Sequence, residues 1–265
     1  MKNLFLRATI IIIVFFATWF LLDQIDWMGI FKVEETSSKI EQKLGKQIWE
    51  FIQLTEEEVE DEDINLALDS ILSHICSANN IDKDYIKLHL IQKSEINAFA
   101  LPDGHLVVYS GLIEAAENET ELDGVLCHEI AHIELNHVMQ KLMREIGLSV
   151  LIANVSGKGG PNNTLEIAKS LSSNAFDRSL ERDADMKAVD YMIEAGINPE
   201  GFAEFMYKLS LTEPEAMQYL EWVSSHPETQ ARAEYIIEYS NYQLEGNGAV
   251  LADTTWKMIQ WRLNF

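Results

Sequence analysis

CHEIAHIELNH, residues 127 to 137, holds five side chains that bind metals or move protons: His128, Glu129, His132, Glu134 and His137. His128 and His132 are four apart. On a helix that spacing sets both imidazoles on one face, one turn apart. Two neutral imidazoles in that position can bind a zinc ion. Glu129 is rotated by about 100° from His128 and can take a proton from a water held beside the pair. His137 follows His128 by nine residues, about 900° of helix, so in one straight helix it projects from the opposite side. Glu134 also points away. His137 is therefore read as structural or exposed, and Cys127 as a small buried residue.

A catalytic zinc needs a third protein ligand and one open position. Two later segments offer side chains. In SLERDADMKAVDYMIEAGINP, residues 179 to 199, Glu181 and Asp185 share a helical face. A glutamate from a second helix can complete such a site, and Asp185 can orient a histidine through its ring N–H. Taken alone, the same charges read as a solvated surface; beside the His128 and His132 pair they read as part of the site. In SSHPETQARAEYI, residues 224 to 236, His226 precedes a proline just before a helix that carries Arg232. There it can donate to an oxyanion formed when water attacks a carbonyl.

The elements that must position these groups follow from periodicity. Apolar residues at helical spacing predict helices over about 33–54 and 63–79. YIKLHLIQ alternates, and INAFAL and HLVVYS flank the turn Pro102-Asp103-Gly104, which predicts an antiparallel hairpin. From Gly111 onward the pattern is helical, near 111–117, 119–142, 165–175, 178–195, 199–210, 229–241 and 250–262. SGKGGPNN, residues 156 to 163, reads as a flexible loop. The expected fold is α+β: one helical domain with a small antiparallel sheet.

Residues 8 to 22, ATIIIIVFFATWFLL, carry no charge. With Leu4 to Leu6 and a snorkelling Arg7 they predict one transmembrane helix, with Lys2 and Arg7 on the cytoplasmic side. No small-x-small cleavage pair follows, which favours an anchor over a signal segment. The division read here is residues 1–30 as the anchor and 31–265 as the working domain. The net charge of −23 opposes a nucleic-acid partner. The acidic run from Glu56 to Asp63 reads as a solvated loop or helix start. Cys76 and Cys127 are too few for a disulfide scaffold.

Four blocks, in order, resemble the CaaX-prenyl-protease and HtpX-like zinc metalloendopeptidases of the gluzincin group: NAFALPDGHLVVYSGLI, HEIAHIELNH, ERDADMKAVDYMIEAGINP and SSHPETQAR. They span about residues 95 to 240. The resemblance implies a zincin-like domain with one zinc ion per chain, held by His128, His132 and Glu181, with Glu129 as base. It implies Asp185 behind the ligands, and His226 and Arg232 near the substrate. One apolar span, rather than several, points to the anchored quality-control type, facing the periplasm from a bacterial inner membrane. Its substrates would be unfolded or misassembled proteins. Asn97, Ala98, Phe99 and Ala100 form the candidate edge strand, where an extended peptide could pair. The competing reading is a membrane-anchored chaperone without turnover. Its natural mark, loss of Glu129 or of a ligand, is absent.

Overall fold

The computed structural model describes residues 33–211, 221–227, 229–240 and 248–264. The chain divides into two compact units, residues 1–40 and 41–265. Of the first, only the opening turns of helix α1 (Val33–Thr55) are described. The apolar run 8–22 lies outside the described residues. Among these, no helix is long and apolar enough to cross a membrane.

In the second unit, α1 buries Leu44, Ile48, Trp49 and Ile52 at helical spacing. Gly45 is required there, because any side chain would collide with the Pro102 carbonyl. Helix α2 (Glu62–Asn79) starts where the acidic run ends. The Asp61 carboxylate caps it, accepting from the N–H groups of Asp63 and Ile64. The rest of the run is a loop that touches strand β1 (Lys87–Ile91) through a Glu58–Ile91 bridge. The expected hairpin forms from β2 (Ala98–Ala100) and β3 (His105–Tyr109). Asp103 and Gly104 turn it with φ of 65° and 70°, conformations that Asp tolerates and Gly adopts freely.

The sheet is mixed, which corrects the antiparallel expectation. Its order is β1-β3-β2: β1 runs parallel to β3 and β2 antiparallel. The physical reason is that β1 and β3 are not hairpin neighbours. The chain crosses past the sheet through β2 before β3 inserts between the two. β2 is thus an edge strand by hydrogen bonding.

Helix α3 (Ser110–Ala115) leads into α4 (Glu119–Glu134), the central helix, buried from Glu119 to Ile133. Around α4 pack α2, β2, α8 (Arg178–Glu194) and α9 (Glu200–Ser210). Gly124 lets α9 approach, since a side chain there would strike Phe202. Helices α5 (His137–Glu145), α6 (Leu148–Val155) and α7 (Pro161–Ser173) follow α4. The predicted loop 156–163 is only a turn, because Pro161 opens α7 at its first position. Helix α7 lies against β2 and against α10 (Glu221–Ser225). Helix α11 (Thr229–Ser240) packs on α8 and α9, and α12 (Asp253–Leu263) on α3 and α2.

Candidate metal centre

The helical phase read from CHEIAHIELNH holds. His128 and His132 project from one face of α4, with their Nε2 atoms 3.0 Å apart. Glu181 reaches them from α8: its Oε1 is 3.5 Å from His132 Nε2 and its Oε2 is 3.8 Å from His128 Nε2. His226 comes from the end of α10, its Nδ1 2.8 Å from Glu181 Oε1 and 3.3 Å from His128 Nε2. One ligand atom from each of these four residues lies within 4.8 Å of the others, a group that could hold a metal ion. No one of them is more than 3% exposed.

What stands behind the donors fixes their orientation. Asp185 Oδ1 is 2.9 Å from His128 Nδ1. A carboxylate so near Nδ1 favours the tautomer with its proton there, which turns the Nε2 lone pair into the cluster. Arg232 clamps Asp185 with two hydrogen bonds, from Nε at 2.8 Å and Nη2 at 2.7 Å. Its Nη1 is 2.7 Å from Glu181 Oε2. Tyr235 donates to Asp185 as well. Burial alone would raise the Asp185 carboxyl, but Arg232 and His128 hold it below its usual range. Glu181 is likewise held well below its usual range, His226 and Arg232 outweighing burial. Asp185 and Arg232 thus meet as one buried pair behind the ligands.

His137 requires a correction. Helix α4 stops at Glu134, and Asn136 takes a left-handed conformation with φ of 57°. The chain turns and starts α5 at His137, so the straight-helix phase no longer applies. His137 is buried, with its Nδ1 3.1 Å from His132 Nδ1. It touches the far side of a candidate ligand. Glu134 is exposed, as read. Cys127 and Cys76 are both buried and free.

Glu129 is fully buried beside the cluster, and both of its oxygens are engaged. Oε2 accepts from the Ala100 backbone N–H at 3.1 Å. Oε1 accepts from the Trp222 indole at 3.2 Å and lies 3.3 Å from His226 Nε2. Burial would raise this carboxyl, but His226 and its neighbours lower it to about 2. Burial would lower His226, but Glu181 and Glu129 raise it to about 9. Trp222 escaped the sequence reading, although its spacing of four from His226 puts both on one helical face.

The candidate edge strand is not open. The Asn97 side-chain amide donates to Ser172 O at the end of α7, 3.2 Å, and to Glu221 Oε2, 3.1 Å. The Trp222 N–H donates to Ile96 O at 3.1 Å. Ala98, Phe99 and Ala100 are buried. Phe176, just past α7, lies over the centre, 4.1 Å from the His132 ring and 5.7 Å from that of His226. The conformation is closed: α7, α10 and Phe176 cover strand and cluster together.

The sequence pattern of peptidase family M48 matches residues 63–240, well over half of the chain. The chain therefore belongs to peptidase family M48. It is 27% identical to metalloprotease LoiP of Escherichia coli over 164 residues, 60% of this chain and 64% of that protein. To the mitochondrial metalloendopeptidase OMA1 of Schizosaccharomyces pombe it is 25% identical over 206 residues, 74% of this chain and 59% of the relative. To the beta-barrel assembly-enhancing protease of Yersinia pestis it is 26% identical over 166 residues, 58% of this chain and 34% of the relative. The chain spans less than two thirds of the length of these relatives.

Proposed function

We propose that the chain is a zinc-dependent metalloendopeptidase that cuts unfolded or misassembled proteins at a membrane. The observation that carries this is Glu129. A buried carboxylate stands one residue from His128, on the helix whose two histidines converge with Glu181, and is held by a strand N–H and an indole. The donor set fits zinc: two imidazole Nε2 atoms whose opposite nitrogens meet Asp185 and His137, and one carboxylate. His128, His132 and Glu181 would hold the ion. Zinc bound there supplies a Lewis acid for a carbonyl oxygen and for water.

The rest of the chemistry belongs to the chain's own side chains. Glu129 takes a proton from the attacking water and delivers it to the leaving amine. Asp185 keeps the His128 lone pair directed inward, and Arg232 holds Asp185 and Glu181 against their mutual repulsion. His226 carries a positive charge between two carboxylates and is the donor for the developing oxyanion. An extended substrate would pair along Asn97 to Ala100 once α7 withdraws.

Within the family, the subgroup favoured is the CaaX-prenyl-protease and HtpX-like one, in its singly anchored quality-control form. The four-block resemblance and the single apolar run support this. So do the names of two relatives, one a beta-barrel assembly-enhancing protease and one a mitochondrial endopeptidase. Residues 1–30 would anchor the chain and residues 31–265 form the peptidase domain, on the periplasmic side of a bacterial inner membrane. The test pairs metal analysis with digestion of an unfolded protein by wild type and Glu129→Gln. One zinc per chain in both, with cleavage only by wild type, is the expected result. Zinc in both with no cleavage by either would make the chain a binding module instead.

A further inference from the structure

Lys141 is a buried cation that the proposed chemistry does not use. It lies on α5 and is 3% exposed. Its Nζ donates to the Asn174 backbone carbonyl and lies 3.9 Å from the centroid of the Phe176 ring. Among the described residues it makes no ion pair. Buried lysines are almost always paired with an acid. A carbonyl and an aromatic face are a poor replacement for the water this ammonium gave up.

The surroundings point to what is missing. Lys141 lines a cavity of about 320 Å³, together with Gln140, Arg144, Glu145, Asp177 and Ser179. Arg144 pairs with Asp177. Glu145 accepts from the Ser170 hydroxyl and from the Asn174 amide, and its charge acts on Lys141 through space without an ion pair. Among the described residues Lys141 has no direct counter-ion. The cavity also adjoins the centre. Phe176 has Lys141 at 3.9 Å and the His132 ring at 4.1 Å. Phe176 thus contacts both the ammonium and a candidate ligand.

We propose that this cavity is a substrate subsite beside the scissile bond, and that Lys141 receives a substrate carboxylate there. This rests on the peptidase reading. Phe176 and Asn174 belong to the segment that covers the centre, so withdrawal of that segment removes the present partners of Lys141 as it admits a peptide. The carboxylate is either an acidic side chain or a peptide C-terminus. The volume suits one such group with a water or two. Arg144 is neutralised by Asp177 and Glu145 is held by Ser170 and Asn174, so the cation left to meet a substrate carboxylate is Lys141.

The test starts from a fluorescent peptide that wild type cleaves. Glu is compared with Gln at each of three positions on either side of the bond, with free and amidated C-termini. One position, or the free C-terminus, is expected to raise kcat/KM about tenfold, the scale of one desolvated charge pair. Lys141→Gln removes that preference and Lys141→Arg retains most of it, each checked for unchanged zinc content. Preference at an internal position identifies a side chain; preference for the free over the amidated end identifies a C-terminus. Affinity is read in parallel by anisotropy in Glu129→Gln, with and without Lys141→Gln. No preference anywhere in wild type, or the same preference in Lys141→Gln, overturns the proposal. Carboxylate-dependent binding that needs Lys141, without hydrolysis by wild type, would leave the subsite standing and the peptidase reading fallen.

Discussion

His128 and His132 bring ring nitrogens to 3.0 Å, and His89 and His105 bring theirs to 2.9 Å. The first pair is fully buried and the second mostly so, His89 being part-exposed, and both have an acid at hand. Their chemistry diverges because of what surrounds them. The first pair faces Glu181, Glu129 and Asp185 from three directions, and a third imidazole, His226, is pushed up to about 9. The second pair lies on β1 and β3 with Trp49 stacked 3.6 Å from His89, and the acid in contact with it is Glu58, 3.3 Å from His89 Nδ1. Burial pushes His89 and His105 down to about 4. Two touching buried imidazoles are thus not a metal site in themselves. Convergent carboxylates, themselves held by an arginine, make the difference.

The sharpest way to break this contrast is to change one group in each place. Glu129→Gln is expected to lower peptide hydrolysis about 10²- to 10⁴-fold, the range of a lost general base, with zinc retained. His89→Phe, which keeps a ring against Trp49, should alter neither hydrolysis nor zinc content. Zinc loss in His89→Phe would erase the distinction. Next in size is the arginine clamp. Arg232→Met leaves Asp185 buried without its cation and Glu181 with His226 alone, which should destabilise the fold by about 3–5 kcal/mol in urea titration. A near-neutral result would mean the two carboxylates are not held by charge.

Asp185→Asn keeps the shape behind His128 but removes the charge. A drop in zinc affinity of about 10- to 100-fold is expected in competition with a chromophoric chelator. The smallest effect belongs to the sheet pair. A histidine with a lowered folded pKa binds fewer protons folded than unfolded between the two values. Its stabilising contribution is therefore complete above about 6.5 and is lost as pH falls towards 4. Wild type should lose about 1–2 kcal/mol more across that window than His89→Phe, measured by urea unfolding at each pH. Equal losses would show that the sheet pair does not titrate with folding.

Much of this was legible in the residues. The four-residue spacing of His128 and His132, and of Glu181 and Asp185, gave correct faces because helix phase is local and regular. The hairpin was legible because Pro102, Asp103 and Gly104 specify their own turn. The parallel pairing of β1 with β3 was not, since a three-stranded register depends on contacts far apart in sequence. Helix α6 was missed because LSVLIANV is short and apolar on almost every side, which leaves no polar-apolar period to read. The closure of the edge strand by Ser172 and Glu221 left no local signal, because both are ordinary polar residues on distant helices. The fate of His137 turned on Asn136, and asparagine just past a helix is a known left-handed stop.

That joint has a consequence for how sequence variation in this protein is read. Asn136 is exposed and touches none of the candidate ligands, yet it sets the direction in which α5 departs and hence the approach of His137 to His132. Glycine can replace it at little expense, whereas valine or isoleucine would face strain of about 1–3 kcal/mol at that φ. In a saturation-mutagenesis map it would score as sensitive despite its exposure. An asparagine next to a metal motif invites assignment as a catalytic group. Here its constraint is one of backbone handedness, and tolerance of glycine, with aspartate next, is the pattern that tells the two apart.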